Sequence, residues 1–142
     1  MKSESTSATT VLAISSAPPH RPSGVARATA ARWAPSASNI QPWTFLYAKR
    51  GTLDFDLFHS LLAEGNRPWT KNAAAIVFLV SKKTRVTPEA TSVPSRSHSL
   101  DAGAAWAYLA LEASITGWPA HGMIGVDFDR ARDELHVPDD CH

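Results

Sequence analysis

The chain has one cysteine, no long apolar run and almost no excess of charge, and each shortage excludes a class of protein. Cys141 is the only cysteine among 142 residues, so neither an intramolecular disulfide nor a thiolate metal site can form. This composition fits a reducing compartment, and we expect a cytoplasmic location. No apolar stretch is longer than the eight residues 73–80, which is too short to cross a bilayer, so we expect no membrane partner. The net charge of +1 provides no basic face for nucleic acid.

Several motifs of catalysis and ligand binding are also missing. The sequence contains no Gly-x-Gly-x-x-Gly segment and no Gly-Lys-Ser phosphate loop. Its six histidines show no paired helical spacing, so we expect no metal site. No nucleophile elbow supports Ser/His/Asp catalysis. We therefore assign no side chain a catalytic role.

The composition indicates one globular domain that follows a poorly ordered segment. Apolar residues make up 44% of the chain and charged residues 19%, which is ordinary for a folded domain. Residues 1–23 are rich in Ser, Thr, Ala and Pro, and the prolines at 18, 19 and 22 oppose a helix or a central strand. We expect residues 1–23 to form a poorly ordered tail and residues 24–142 to form the domain.

Hydrophobic periodicity and capping residues predict alternating helices and strands. The apolar run 74–81 is typical of a central strand that is covered on both faces. Helix formers fill 99–116, and Gly117 follows as a C-cap. The predicted helices span 23–33, 53–64, 99–116 and 127–136. The predicted strands span 44–48, 74–81 and 118–124, and the last of these is a strand or a loop. The segment 82–97 is predicted to be a polar loop. The alternation favours an α+β fold, a three-layer α/β/α sandwich around a mixed β-sheet.

The predicted long helix carries small residues in its first half, at 102–105. Small side chains allow another backbone to approach closely, so one interpretation is a dimer interface. Core packing within the chain is the other interpretation, and the sequence leaves both open. The apolar face of this helix comprises Leu100, Gly103, Ala104, Ala107, Tyr108, Leu111 and Ile115.

Three blocks of sequence could carry a binding site: residues 35–43, 64–73 and 121–127. The first reads Pro-Ser-Ala-Ser-Asn-Ile-Gln-Pro-Trp and offers backbone N–H groups, hydroxyls and an amide beside a flat aromatic ring. These groups suit a polar, planar cofactor. Each block alone also fits an ordinary structural role: a capped turn with a buried tryptophan, a helix end with a polar connection, and a Gly-rich loop before a helix.

Taken together and in this order, the blocks resemble the FMN-dependent nitroreductase family over roughly residues 26–138. The resemblance implies a nitroreductase-like fold and a homodimer that binds FMN. It also implies an oxidoreductase that takes a hydride from NAD(P)H and reduces a small-molecule acceptor such as a quinone or a nitroaromatic.

The resemblance also implies roles for individual residues. Ile124 and Gly125 would bring backbone groups near N5 of the flavin. Asn66 would hydrogen-bond the flavin ring or its ribityl chain, and Lys71 would lie near the flavin. The residues that would reach FMN bound mainly by the other subunit are Pro35, Ser36, Ala37 and Asn39. The substrate-lining candidates are Trp43 and His121, with core packing as the alternative for Trp43.

Two features of the family have no counterpart in this sequence. Family members open with an Arg-x-Ser-x-Arg-like segment that grips the FMN phosphate, and they continue beyond position 142 with a further strand and basic residues. We therefore expect both phosphate grips to be missing and the chain to be truncated at both ends relative to the family. Burying a phosphate without paired donors is costly. The alternative hypothesis is a non-catalytic nitroreductase-like protein that serves as a binding or dimerisation module.

Overall fold

A computed structural model of the chain describes residues 10–14 and 24–142. The strands are β1 (Thr10–Ile14), β2 (Trp43–Lys49), β3 (Ala75–Ser81), β4 (Thr84–Val86), β5 (Ser92–Pro94) and β6 (Ala120–Met123). The α-helices are α1 (Leu53–Ser60), α2 (Arg67–Thr70), α3 (His98–Ile115) and α4 (Phe128–Glu134). Two 3₁₀ helices, Gly24–Trp33 and Ala37–Asn39, precede β2. The predicted α+β class is confirmed.

Four strands form the main sheet in the order β2-β3-β1-β6. Every pairing in this sheet is antiparallel, with Trp43 opposite Ser81 at one end of β2 and Lys49 opposite Ala75 at the other. The sequence-based expectation of a mixed sheet therefore does not hold for the described strands. The alternation of helices and strands suggested parallel crossovers, but β1 lies between β3 and β6 and runs antiparallel to each of them.

Strand β1 lies within the segment that the sequence predicts to be a poorly ordered tail. For Thr10–Ile14 that prediction is wrong, because these residues pair with β3 on one side and with β6 on the other. Their β-branched character suits a strand, but five residues beside a proline-rich stretch gave too weak a pattern. The remaining residues of the predicted tail lie outside the described ranges, and the domain boundary stays a prediction.

The core lies on both sides of β3, whose seven residues are all buried. This agrees with the predicted central strand. Ile76 and Phe78 pack into one cluster with residues from α1, the segment after it, β6 and α4. Val77 packs into a second cluster with Leu109 and Ala105 of α3 and with the Gly24–Trp33 helix. Successive side chains of a strand point to opposite faces, so β3 joins the two clusters.

Helix α3 is apolar on two opposite faces. Its buried apolar positions follow helical spacing and are Ala102, Ala105, Leu109 and Ala113. The opposite face is exposed although it is also apolar: Leu100, Leu111 and Ile115 are 78%, 62% and 71% exposed, respectively. A helix that is apolar all round is usually covered all round. The outer face of α3 is therefore a surface that residues 10–14 and 24–142 leave uncovered.

The segment predicted to be a polar loop, 82–97, contains the β4–β5 hairpin. Ser95 N donates to the Lys83 carbonyl at 2.7 Å just after β5, and Ser97 is the N-cap of α3. The hairpin therefore leads directly into α3. Within residues 10–14 and 24–142, no helix combines the length and the apolar character that crossing a bilayer requires.

Candidate functional site

A groove of about 650 Å³ lies between the α3 helix and the segment that follows β6. Its lining comes from three separate parts of the chain: Asn66, Gly103, Trp106, His121, Gly122, Met123, Ile124 and Gly125. Four of the predicted site residues, Asn66, His121, Ile124 and Gly125, are thus brought together. The volume falls within the usual range for sites that bind small molecules.

Gly125 is fixed by the segment that precedes α2. Its carbonyl oxygen accepts two hydrogen bonds, from Ala63 N at 2.8 Å and from Asn66 Nδ2 at 3.1 Å. A Cβ atom at position 125 would overlap Asn66 Nδ2 and lie 3.3 Å from the Ala63 Cβ. Glycine is therefore required here by the packing of Asn66 against the backbone. The Asn66 amide nitrogen is committed to this contact, while its Oδ1 has no hydrogen-bond partner among the described residues.

The amide N–H of Gly125 has no hydrogen-bond partner among the described residues, although its carbonyl has two donors. The two peptides that follow are both held by hydrogen bonds. Val126 N donates to the Ile124 carbonyl at 2.9 Å, and Asp127 N donates to the Leu61 carbonyl at 2.9 Å. A fixed backbone donor that lines a groove can hold an acceptor atom of a ligand. Gly125 and Asn66 line the groove and keep one backbone N–H group and one amide oxygen without a partner among the described residues.

Trp106 lies against β6 and was not predicted from the sequence. A Cβ atom at position 122 would lie 2.8 Å from the Trp106 ring, so Gly122 allows the indole to approach the backbone. The indole Nε1 is buried and has no hydrogen-bond partner among the described residues. A buried donor without a partner is unusual, which makes this ring a candidate for ligand contact. Its isolated position in the middle of α3 gave no motif that could have identified it.

His121 lies at the exposed side of the groove. Its ring packs edge-on against Trp69, with the ring centroids 5.0 Å apart and an interplanar angle of 84°. Trp69 belongs to α2, so this contact joins the second and third sequence blocks. Lys71, the C-cap of α2, is exposed and does not line the groove.

The first sequence block forms a tight turn away from the groove, which we call the signature turn (residues 35–42). Three non-glycine residues in it adopt left-handed backbone conformations: Ser38, Asn39 and Gln41, with φ of 53°, 52° and 53°. Such conformations cost energy and tend to occur at functional sites. Ser36 Oγ accepts from Gln41 N at 2.9 Å and so closes the turn.

A buried carboxylate anchors the signature turn to α3. Asp101 is 6% exposed, and its Oδ2 accepts from Ala37 N at 3.3 Å and from Ser97 Oγ at 2.9 Å. No local motif marks Asp101 for this role, because its partner Ala37 is 64 positions away.

The predicted residues of the first block do not line the groove within this chain. Ala37 lines a second cavity, while Pro35, Ser36 and Asn39 lie beside it in the signature turn. Trp43 is half-buried and packs against the second core cluster, which agrees with the core alternative.

The shifted pKa values lie outside the groove. Burial lowers the pKa of His142, and Lys83, His98 and Arg132 lower it further. Burial also raises the pKa of the Cys141 thiol. Neither residue lines the groove.

Several solved structures contain chains that are similar to this one. The chain is 44% identical to a structure described as an oxidoreductase containing FMN, with a TM-score of 0.81 over 89% of this chain and 63% of that chain. A nitroreductase family protein from Clostridium difficile 630 is 17% identical, with a TM-score of 0.64 over 84% of this chain and 65% of that chain. The nitroreductase family protein from Streptococcus pneumoniae TIGR4 is 17% identical, with a TM-score of 0.67 over 84% and 74%.

The two more distant likenesses establish the fold, and the resemblance to the nitroreductase family is confirmed. This chain spans less than two thirds of the length of the first two solved chains. No protein-family model and no curated protein sequence matches it.

Proposed function

The chain is nitroreductase-like in sequence and fold, and on this premise we propose that it is an FMN-dependent oxidoreductase. The proposed reaction takes a hydride from NAD(P)H and reduces an electron-poor small molecule such as a quinone or a nitroaromatic. A reducing, cytoplasmic setting belongs to the same proposal. The packing of helices on both sides of β3 supports a three-layer arrangement for the domain.

The observation that carries this proposal is the free amide of Gly125 at the groove. Its N–H lacks a partner among the described residues, while its carbonyl is fixed by Ala63 and Asn66. A flavin ring is planar, with acceptor atoms along its edge. The groove suits such a ring in size and in its mixture of aromatic, apolar and peptide surfaces.

The residues of the chain would bind and orient the ring. Gly125 N–H would donate to a ring acceptor, and Asn66 Oδ1 would accept from a ring N–H. Trp106 and Met123 would supply flat apolar contact and exclude water on one side. The chemistry that bound FMN supplies is hydride acceptance from NAD(P)H and delivery of electrons to the acceptor.

Flavin content tests the cofactor part of the proposal. We expect the purified protein either to carry flavin absorbance or to gain it when FMN is added, and then to oxidise NAD(P)H in the presence of a quinone. Absence of both FMN binding and nicotinamide oxidation would contradict the proposal.

We also propose a homodimer that uses the outer face of α3. Three large apolar side chains there, Leu100, Leu111 and Ile115, are exposed, and Trp33 of the first 3₁₀ helix is 79% exposed. Exposed apolar patches of this kind mark association surfaces. A second copy would cover the face and would bring its signature turn, a block with no groove contact in this chain, towards the partner's groove.

The assembly can be tested by light scattering. Leu111→Glu should convert the dimer to a folded monomer, because a charge would be buried in the interface. Leu53→Glu is the matched control: Leu53 is 97% exposed at the start of α1, far in sequence from the proposed interface. A wild-type protein that is monomeric, or a Leu111→Glu variant that stays dimeric, would contradict the proposal.

A further inference from the structure

A second cavity, of about 320 Å³, lies between the signature turn, the β4–β5 hairpin and the start of α3. It shares no lining residue with the groove. Its lining residues are Ala37, Ser38, Ile40, Arg85, Pro94, Ser95, Arg96 and Ser97. Two guanidinium groups and three hydroxyl groups therefore surround a small space.

The two arginines of this cavity are without partners in the described part of the chain. The two ion pairs among the described residues are Lys82–Asp140 and Arg130–Glu134, so neither Arg85 nor Arg96 makes one. Their side chains also make no hydrogen bond to another described residue. Most other arginines differ: Arg50, Arg67, Arg130 and Arg132 each donate to backbone carbonyls. The cavity thus holds unused donors of the kind that bind oxyanions in pairs.

Ser95, a buried residue, adds a further hydroxyl to the same cavity. The residue is only 5% exposed, and its backbone is fixed by the bond from Ser95 N to the Lys83 carbonyl. Its hydroxyl has no hydrogen-bond partner among residues 10–14 and 24–142. The Ser95 hydroxyl is therefore available to donate to a ligand in the cavity that it lines.

The acidic group beside the cavity is already satisfied. Asp101 does not line the cavity, and it accepts hydrogen bonds from Ala37 N and Ser97 Oγ. It also lies in the first turn of α3, where the helix dipole stabilises a negative charge. Asp101 therefore does not need the two guanidinium groups, which remain available for an external anion.

We propose that this cavity binds the oxyanion group, a phosphate or a carboxylate, of a small-molecule ligand. Arg85 and Arg96 supply the charge, and the Ser95 hydroxyl supplies a further donor. The site lies against the strained signature turn, so a bound anion would also favour that conformation. Anion binding at this cavity does not require flavin and can be measured when none is present.

Calorimetric titration of the full chain with inorganic phosphate, at low ionic strength, tests the site. We expect the wild type to bind phosphate, and Arg85→Gln or Arg96→Gln each to weaken binding by about tenfold, because each removes charge-assisted hydrogen bonds. Added salt should weaken binding, because both arginines are exposed. Lys49→Gln is the matched control: it removes one positive charge at the opposite end of β2 and should leave the affinity unchanged.

Two results would overturn the proposal: no phosphate binding by the wild type, or equal affinity in the wild type and in the double arginine variant that combines Arg85→Gln with Arg96→Gln. Circular dichroism of each variant checks that the fold is retained. These results are separate from those that test FMN binding, so failure of one proposal does not decide the other.

Competition with bound phosphate distinguishes the two sources of the oxyanion. Adenosine 2′-phosphate against adenosine tests the phosphate of a nicotinamide cofactor, and nitrobenzoate against nitrobenzene tests a carboxylate on an acceptor. We expect one charged probe to compete in the wild type and to lose this ability in the double arginine variant, whereas neither neutral probe should compete. Equal competition by a charged probe and its neutral counterpart would overturn the proposal.

Discussion

The groove segment (residues 121–127) and the signature turn are held in shape by different forces. In the groove segment, shape depends on the absence of side chains at Gly122 and Gly125, which lets Trp106 and Asn66 approach the backbone. In the signature turn, non-glycine residues adopt left-handed conformations, and hydrogen bonds that Ser36 Oγ and Asp101 Oδ2 accept from backbone N–H groups compensate for the strain.

The difference affects how each region should respond to mutation. A segment shaped by close approach is sensitive to added atoms, since the interior around it cannot yield easily. A turn shaped by polar contacts is sensitive to lost acceptors, since a buried donor is then left unpaired. Added bulk should therefore disturb the groove, and removal of an acceptor should disturb the signature turn.

The largest effect is expected at the groove. Gly125→Ala should lower the free energy of unfolding by about 1–3 kcal/mol, because the new Cβ overlaps the Asn66 amide. Urea denaturation measures this loss, and FMN titration measures the accompanying loss of affinity. Removal of the obstructing amide by Asn66→Ala should recover part of the stability in the double variant.

Gly103→Ala is the matched control for that substitution. Gly103 lines the same groove, but a Cβ there would have no atom within 4 Å. Because it lies inside α3, alanine should stabilise the protein by about 0.5–1 kcal/mol. Equal destabilisation by the two glycine substitutions would show that close packing does not shape the groove segment.

The next largest effect is expected at the anchor of the signature turn. Asp101→Ala should lower the free energy of unfolding by about 1–3 kcal/mol, because Ala37 N and Ser97 Oγ both lose their acceptor. Hydrogen exchange at Ala37 should accelerate in the same variant. Asp139→Ala, at an exposed position near the C-terminal end of the chain, is the control and should change neither quantity. If hydrogen exchange at Ala37 is unchanged in Asp101→Ala, Asp101 does not anchor the signature turn.

The smallest effects are expected within the turn, and they should have opposite signs. Ser36→Ala removes the acceptor of Gln41 N, an exposed contact, and should cost about 0.5–1 kcal/mol. Ser38→Gly relieves a left-handed conformation and should stabilise the protein by up to about 1 kcal/mol. Thermal unfolding of both variants provides the comparison. The same sign in both variants would show that backbone strain and its compensation do not govern the turn.

Local pattern was sufficient for elements that carry a strong, continuous signal. The apolar run that became β3 and the helix formers that became α3 were predicted within a residue or two, because burial on both faces and an unbroken helical composition leave few alternatives. Strand β1 was missed because five residues pair only with strands that lie more than 60 positions away.

The candidate site also contains residues that a local motif identifies and residues that only the fold brings together. Its backbone segment at Ile124 and Gly125 was found from a motif, and so was the signature turn. Trp106, Asp101, Arg85 and Arg96 were not assigned to a site. Each becomes informative only through a partner or cavity formed by distant segments, and a single side chain in a helix or loop carries no local pattern of that kind.

The sequence by itself determined the α+β class, the central strand, the long helix and the resemblance to the nitroreductase family. The first three depend on composition and periodicity over neighbouring residues, and the resemblance depends on the three sequence blocks. Only the tertiary structure decided the antiparallel order of the sheet, the reason for glycine at 125 and the exposure of the outer face of α3. Those properties arise where segments about 60 positions apart come into contact, such as Asn66 with Gly125, and close packing at those contacts is a property of the fold as a whole.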